Sequence, residues 1–436
     1  MVRRGGRERP RREEKQDAME DYVMKDHKKL RRGYTTGTCA AAAARAAAVL
    51  ATGLARRVEQ VEIATPGGAV LTIPIEEGRL TAGGSTADGG SCVEKGSGAG
   101  AVCAVRKDSG DDPDVTDGVL VYARVELTGG DDDRILIDGG PGVGRVTKPG
   151  LACAVGQAAI NPTPRRMIEE EVRRTAAEAG YEGGIFVEIS IPAGTDLARK
   201  TYNPRLGIEG GISVLGTSGI VEPMSEQALI DTIKVEMNMQ KAAGAEYLLI
   251  TPGNYGETFL RESMSLGSIY TVKCSNFLGE ALDHAVELGF HGVLLTAHIG
   301  KLVKVAGGIM NTHSKYGDAR LEILAAHAAR IGAEREIVER LFSCVTTDDA
   351  IAVLDGEARE ETDGGGGTER PSMLRIKTMA SILEKVEYHI GQRVGDGMAA
   401  GAVMFSNHYG LLGQTSRASC LVEKLRQDGS EGKPRT

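Results

Sequence analysis

Tyr247-Leu248-Leu249-Ile250-Thr251-Pro252-Gly253-Asn254-Tyr255-Gly256 decides how the second half of this chain folds. An apolar run this short, stopped by a Pro-Gly pair, reads as a buried strand ending in a loop. Before it, Ser225 can cap a helix that runs to about Ala243. After it come a short helix near Glu257–Met264 and a strand Ile269–Cys274 that ends in Ser275-Asn276. A helix Phe277–Leu288 then leads to a strand Gly292–Ala297 that ends in His298-Ile299-Gly300-Lys301. Strands alternating with helices predict a parallel sheet with right-handed crossovers. In such sheets ligands bind beyond the carboxyl ends of the strands, so the three loops are expected to share one crevice. Residues 223–420 are read as an α/β domain, Rossmann-like and three-layered, with a mainly parallel sheet. Helices from Ala319 to Leu354 and from Met373 to Ile390, and an apolar stretch Ala402–Asn407, complete it. The glycine-rich stretch 356–371 reads as a flexible insertion and 421–436 as a disordered tail.

The first half has another rhythm. Alanine dominates from Thr36 to about Thr52 and predicts a helix thin enough to lie close against a sheet, with Thr36 or Thr38 as cap. Short apolar stretches follow at Val58–Ala64, Val70–Ile75, Ala101–Val105, Val119–Leu127 and Arg134–Ile137. A helix Pro164–Ala179 and a strand Ile185–Ile191 come next. Residues 31–222 are therefore read as an α+β domain. Residues 1–30 are read as a disordered basic tail.

Composition narrows the function. The chain has 436 residues, 41% hydrophobic and 26% charged, the balance of an ordinary globular protein with room for two domains. Residues 1–32 carry twelve Lys and Arg against seven Asp and Glu, which leaves −13 on the remainder of a chain with net charge −8. With aromatics at 4% and no tryptophan, nucleic-acid binding is not expected. The alanine run is interrupted by Arg45 and is far shorter than the roughly 20 apolar residues of a membrane span, so no membrane segment or export signal is expected. Seven scattered cysteines without C-x-x-C spacing predict reduced thiols in a cytoplasmic protein, and no His or Cys pair has zinc-ligand spacing. Any metal is expected to arrive with the substrate.

Several glycine-rich stretches could carry chemistry. Asn203–Ile220 holds five glycines with Arg205, Thr217 and Ser218, a mixture suited to a backbone that approaches a ligand or, equally, to a turn between buried strands. Gly33–Cys39 runs into the alanine helix, where free N–H groups and the hydroxyls of Thr35 and Thr36 would suit an anion; the alternative is a plain capped helix start. Asp138–Gly144 fits the D-x-G-x-G-x-G pattern that holds S-adenosylmethionine, but Lys148-Pro149-Gly150 breaks the chain where a helix should follow, so a tight turn competes. The acidic turn Asp111–Asp117 lacks a calcium-loop pattern and reads as solvated, with one aspartate open as a proton acceptor. Around the crevice, Lys273, Lys301 and Lys304 provide cations and His298 sits at a strand end. Gly253, Asn254, Gly256, Ser275 and Asn276 offer small neutral groups that suit a zwitterion better than a phosphate. Lys95–Gly100 could cradle phosphates in a small-molecule kinase.

The stretches Gly33–Cys39, Gly110–Thr116, Gly142–Gly144, Asn203–Met224, Gly253–Gly256, Ser275–Gly279, His298–Lys304, Asn311–Ser314 and Asp318–Arg320 together resemble the cobalt-precorrin-5B C-1 methyltransferases, the CbiD family of anaerobic cobalamin biosynthesis. The resemblance runs from residue 31 to about 350. It implies methyl transfer from S-adenosylmethionine to C-1 of cobalt-precorrin-5B, giving cobalt-precorrin-6A, with the cobalt carried in by the tetrapyrrole and no metal bound by the protein. The methyl donor is then expected on Gly253, Asn254, Gly256, Ser275 and Asn276. The acidic macrocycle is expected on Thr35, Thr36, Arg205, Thr217, Ser218, Lys301, Lys304 and His313, with Arg165 and Arg166 behind them. If a base takes a proton as the ring's conjugation adjusts, His298 and Asp112 are the candidates. A homo-oligomer is compatible with this reading. A kinase, or a tetrapyrrole-binding protein without catalysis, is the alternative.

Overall fold

Alanine makes the core of the first unit. In the computed structural model, which describes residues 22–81, 99–130, 133–263, 270–356 and 371–431, the helix Thr36–Ala51 is buried on nearly every side. Side chains of one carbon let it pack on the strands Gly100–Arg106 and Leu120–Gly129 and also on the helix Pro162–Glu178. The sheet beneath runs in the order Glu77–Thr81, Gly100–Arg106, Leu120–Gly129, Gly184–Ser190, Ile135–Gly139, with only the last pair parallel. Along Leu120–Gly129 the inward set is Val121, Ala123, Val125 and Leu127, the alternation a one-sided sheet requires.

The expected basic tail is corrected in part. Tyr22–Lys25 and Lys28–Arg31 form an antiparallel hairpin. Asp26 and His27 take φ of 47° and 63°, the doubly left-handed turn that suits the strand twist and that Asp and His tolerate. The Lys29 ammonium lies 4.2 Å from the centre of the Tyr22 ring, and Arg31 pairs with Asp108 at 2.6 Å and 2.7 Å. Net charge hid these contacts from the sequence. Residues 1–21 lie outside the described residues.

The chain divides at Ser225/Glu226, with Pro149–Leu151 belonging to the second unit. There the sheet order is Thr271–Lys273, Tyr247–Thr251, Gly292–His298, Ala399–Ser406, Gly410–Gln414; the first four strands are parallel and the last is antiparallel. One face is covered by helices that include Leu278–Glu287, Ile299–Ala306 and Met373–Val394, through Leu282, Leu302, Val303, Ile382 and Val386. The other face carries Leu249, Leu294 and Val403, and packs on Leu260 of the helix Asn254–Ser263 and on Leu421, Val422 and Leu425. Those last three belong to a helix, Ala418–Glu431, where a tail was expected. Its apolar residues are few among many charges but share one face, and Asp428 accepts the backbone N–H groups of Glu246 and Tyr247, both at 3.0 Å. The insertion expected at 356–371 falls almost wholly outside the described residues. Among the described residues no helix is long and apolar enough to cross a membrane.

Candidate functional site

Strand order places the site. Tyr247–Thr251 is flanked by Thr271–Lys273 on one side and Gly292–His298 on the other, so the chain reverses its direction of travel across the sheet between Tyr247–Thr251 and Gly292–His298. Ligands of open parallel sheets bind beyond the carboxyl ends at such a switch point. The helices that follow these two strands lie on opposite faces, since Leu260 packs with Leu249 and Leu294 while Ile299 and Leu302 pack with Ile250 and Leu295. The amino ends of both helices therefore open on the same crevice.

The loop after Thr251 is accessible. Among the described residues no atom lies within 4 Å of where a Cβ on Gly253 would stand, and Asn254 is exposed at the helix start. Gly256 is different: it is buried, and a Cβ there would stand 2.8 Å from the Thr296 carbonyl oxygen. Thr251 Oγ1 donates to the Gly253 carbonyl at 3.1 Å. Thr296, which like Thr251 follows a paired residue of its strand, is fully buried, and its hydroxyl has no hydrogen-bond partner among the described residues. A buried hydroxyl without a partner is costly, which makes this one an exception to the usual pairing of buried polar groups.

The loop after Thr271–Lys273 is fixed by its neighbours. Ser275 takes φ of 52°, and Asn276 Oδ1 accepts from Lys301 Nζ at 2.9 Å and from the Thr312 hydroxyl at 3.2 Å. Lys301 also donates to the Ser275 carbonyl at 3.3 Å, and burial holds its pKa below the usual lysine value. Lys273 pairs with Glu257 at 3.0 Å.

His298 caps the helix Ile299–Ala306: its Nδ1 accepts the Gly300 N–H at 3.1 Å, and its ring meets Phe405 edge-on at 5.8 Å between centres. Burial lowers its pKa, against the opposing pull of Asp348, which keeps the imidazole neutral at neutral pH. With Nδ1 accepting, the proton sits on Nε2, so the ring presents a donor where the sequence suggested a base. Lys304 is also corrected. It is buried and donates to the carbonyls of Thr312 at 3.2 Å and Gly317 at 2.9 Å, with Asp318 at 3.7 Å, so it staples a loop and offers no free cation. His313 is exposed and accepts the Lys315 N–H at 3.2 Å.

In the first unit most sequence candidates serve the fold. Thr35 is the buried N-cap of the alanine helix and accepts the Thr38 N–H at 3.2 Å; the Thr36 hydroxyl points to the Leu215 carbonyl at 3.4 Å. Gly37 N–H donates to the same carbonyl at 3.0 Å and the Thr38 hydroxyl to Gly219 at 2.6 Å. The protein's own loop thus occupies the helix start that was expected to take an anion. The glycines of 203–220 are mostly packed shut: a Cβ on Gly211 would strike the Gly142 carbonyl, and one on Gly216 would strike Thr35. Gly142 and Gly144 lie in this same backbone-to-backbone packing, and no helix follows Asp138–Gly144, whose Asp138 pairs with Arg145 at 2.8 Å. The D-x-G-x-G-x-G match is a turn. Asp112 accepts the Met224 N–H at 2.9 Å, Asp114 pairs with the buried Lys107 at 2.6 Å, and Asp117 accepts the Ser109 N–H at 2.8 Å, so the acidic turn is a structural knot. Arg205, Thr217 and Ser218 remain exposed, Arg205 lying 5.9 Å from the centre of the Tyr202 ring.

Sequence reasoning missed Thr296, Asp348 and Ser406. Ser406 ends the strand beside His298, accepts the His408 and Tyr409 N–H groups, and donates to Asp348 at 3.0 Å. The capping box Thr346–Asp349 was a readable signal for the helix start that carries Asp348. Among the described residues no cluster of three or more His, Cys, Asp or Glu could hold a metal, and the six cysteines are free.

Residues 23–223 match the CbiD family and residues 311–416 match the family described as CbiD, C-terminal domain. The chain belongs to the CbiD family. Among CbiD relatives, the cobalt-precorrin-5B C(1)-methyltransferase of Ruminiclostridium cellulolyticum is 45% identical over 89% of this chain and 92% of its own length. The protein of the same name from Alkaliphilus metalliredigens is 41% identical over 94% and 99%. A crystal structure titled cobalamin biosynthesis protein (cbiD) from Archaeoglobus fulgidus is 28% identical and covers 69% of this chain and 87% of that one, with a TM-score of 0.35.

Proposed function

We infer that this chain is an S-adenosylmethionine-dependent methyltransferase that methylates C-1 of cobalt-precorrin-5B to give cobalt-precorrin-6A in cobalamin biosynthesis. The observation that carries the inference is 45% identity over 92% of a relative bearing that activity in its name. The kinase and carrier readings explain neither that match nor the continuity of the family's motifs through both units.

The second unit is read as a Rossmann-like donor-binding layer. Support comes from the switch point, the open Gly253 and the exposed Asn254, which together suit a zwitterionic small molecule. S-adenosylmethionine supplies a methyl group already activated on sulfonium. What remains for the protein is to hold donor and acceptor carbon in line and to exclude water. Gly253 and Asn254 would bear the donor's polar end, with Gly256 keeping their helix close to the sheet. Arg205, Thr217 and Ser218, all exposed, would receive the acetate and propionate arms of the macrocycle. His298, a neutral donor, would orient a ligand by hydrogen bonding. Incubating the purified chain with methyl-labelled S-adenosylmethionine and cobalt-precorrin-5B should place one label per macrocycle at C-1. Macrocycle binding without label transfer would leave the carrier reading standing.

A further inference from the structure

We propose that Lys301 is the counter-ion for the amino-acid carboxylate of the methyl donor, and so the residue that selects donors bearing that carboxylate; this rests on the methyl-transfer reading above. Its placement follows from topology. Lys301 lies in the helix after Gly292–His298, yet its ammonium bonds Asn276 Oδ1 and the Ser275 carbonyl in the loop after Thr271–Lys273. Tyr247–Thr251 lies between those two strands, so a side chain that joins their loops passes over its carboxyl end, at the switch point.

Its bonding is incomplete. An ammonium has three N–H donors, and both acceptors here are neutral oxygens. Among the described residues no carboxylate forms an ion pair with Lys301, whereas Lys107 pairs with Asp114 at 2.6 Å, Lys273 with Glu257 at 3.0 Å and Lys304 with Asp318 at 3.7 Å. The surroundings do not compensate. The Cys274 thiol is pushed by burial up to about 12 and stays uncharged, and Lys304 repels. A half-buried cation with a spare donor and no counter-charge is costly in the free protein, and an anionic ligand relieves that cost. An anion received here is a carboxylate more readily than a phosphate, because one point charge with one free N–H matches a monoanion, and the chain's glycine loops lack a P-loop lysine pattern.

Titration calorimetry on the full chain tests this with S-adenosylhomocysteine and with its decarboxylated analogue, which keeps the amine, thioether and adenosine. The wild-type protein should prefer S-adenosylhomocysteine by roughly 10- to 100-fold, the range of one charge-assisted hydrogen bond. Lys301→Gln, which retains an N–H for the loop carbonyl, should abolish the preference while leaving affinity for the analogue unchanged, and Lys301→Arg should restore most of it. Equal weakening of both ligands would reduce Lys301 to a loop staple, and a preserved preference would place the carboxylate elsewhere; either overturns the proposal while the methyl-transfer reading stands. Failure of the wild-type chain to bind either ligand would overturn both. If Lys301→Gln does not fold, amine-reactive footprinting of the wild-type protein decides: S-adenosylhomocysteine should protect Lys301 and the analogue should not, and equal labelling with and without S-adenosylhomocysteine refutes the assignment.

Discussion

Around Gly142, Gly144 and Gly211 the first unit brings main chain against main chain with no room for a single added carbon, whereas at Gly253 the second unit leaves the space over the backbone empty to 4 Å among the described residues. Both regions look alike as glycine-rich loops after apolar strands. In the first, glycine permits chain to meet chain; in the second it leaves the chain bare for something else. Glycine density alone therefore does not locate a ligand site. What separates the two cases is whether the neighbouring backbone comes from the protein or is missing.

The contrast is broken most directly at Gly142. Its φ of 78° and the Ile191 carbonyl beside it should make Gly142→Ala lose about 4 kcal/mol or fail to fold, as read by urea unfolding. A loss near zero would mean that the packing there is loose and the contrast false. Next in size, Lys304→Met should cost about 3 kcal/mol, because the carbonyls of Thr312 and Gly317 lose a buried charged donor. S-adenosylhomocysteine affinity then tests whether stapled and open parts of the second unit are separable: it should change far less than stability does.

Gly253→Asp sharpens the other side. With open space at the Cβ, the variant should melt within a few degrees of wild type, yet bind S-adenosylhomocysteine at least roughly tenfold more weakly in calorimetry, since it sets a carboxylate where the donor's polar end is placed. Undiminished affinity would remove this loop from the donor site. The smallest effect concerns His298. Its folded pKa lies below the unfolded value of about 6.5, so the unfolded state binds the proton more readily, and stability conferred above pH ~6.5 is lost as pH falls toward the folded pKa. His298→Asn, which keeps a capping side chain, should flatten the fall in unfolding free energy below that pH, as measured by denaturant titrations at several pH values. An unchanged slope would show that other groups govern it.

The sequence made the sheet of the second unit legible because its strands are fully buried apolar runs and its helices carry amphipathic spacing. Tyr247–Thr251 and Gly292–His298 emerge as expected, and their loops converge by topology alone. The strand Gly410–Gln414 and the helix Ala418–Glu431 were not legible, since the strand holds two leucines among glycines and the helix carries its four core residues inside a charged stretch. Site residues were legible as types and illegible as roles. Lys301 and Lys304 stand one helical turn apart in a single motif, yet one ends among neutral oxygens and the other beside Asp318, a difference set by the 311–318 loop and not by local sequence. Thr35 and Thr36 looked available because nothing local reveals that the chain near residue 215 closes over them.

The bond from Asp428 to the backbone of Glu246 and Tyr247 spans 182 and 181 positions along the chain. The first strand of the parallel sheet in chain order thus has the backbone at its start held by a side chain synthesised long after it. Until the helix Ala418–Glu431 has emerged from the ribosome, the nascent second unit carries Leu249, Leu294 and Val403 without the cover of Leu421, Val422 and Leu425, a window in which chaperones and aggregation compete for it.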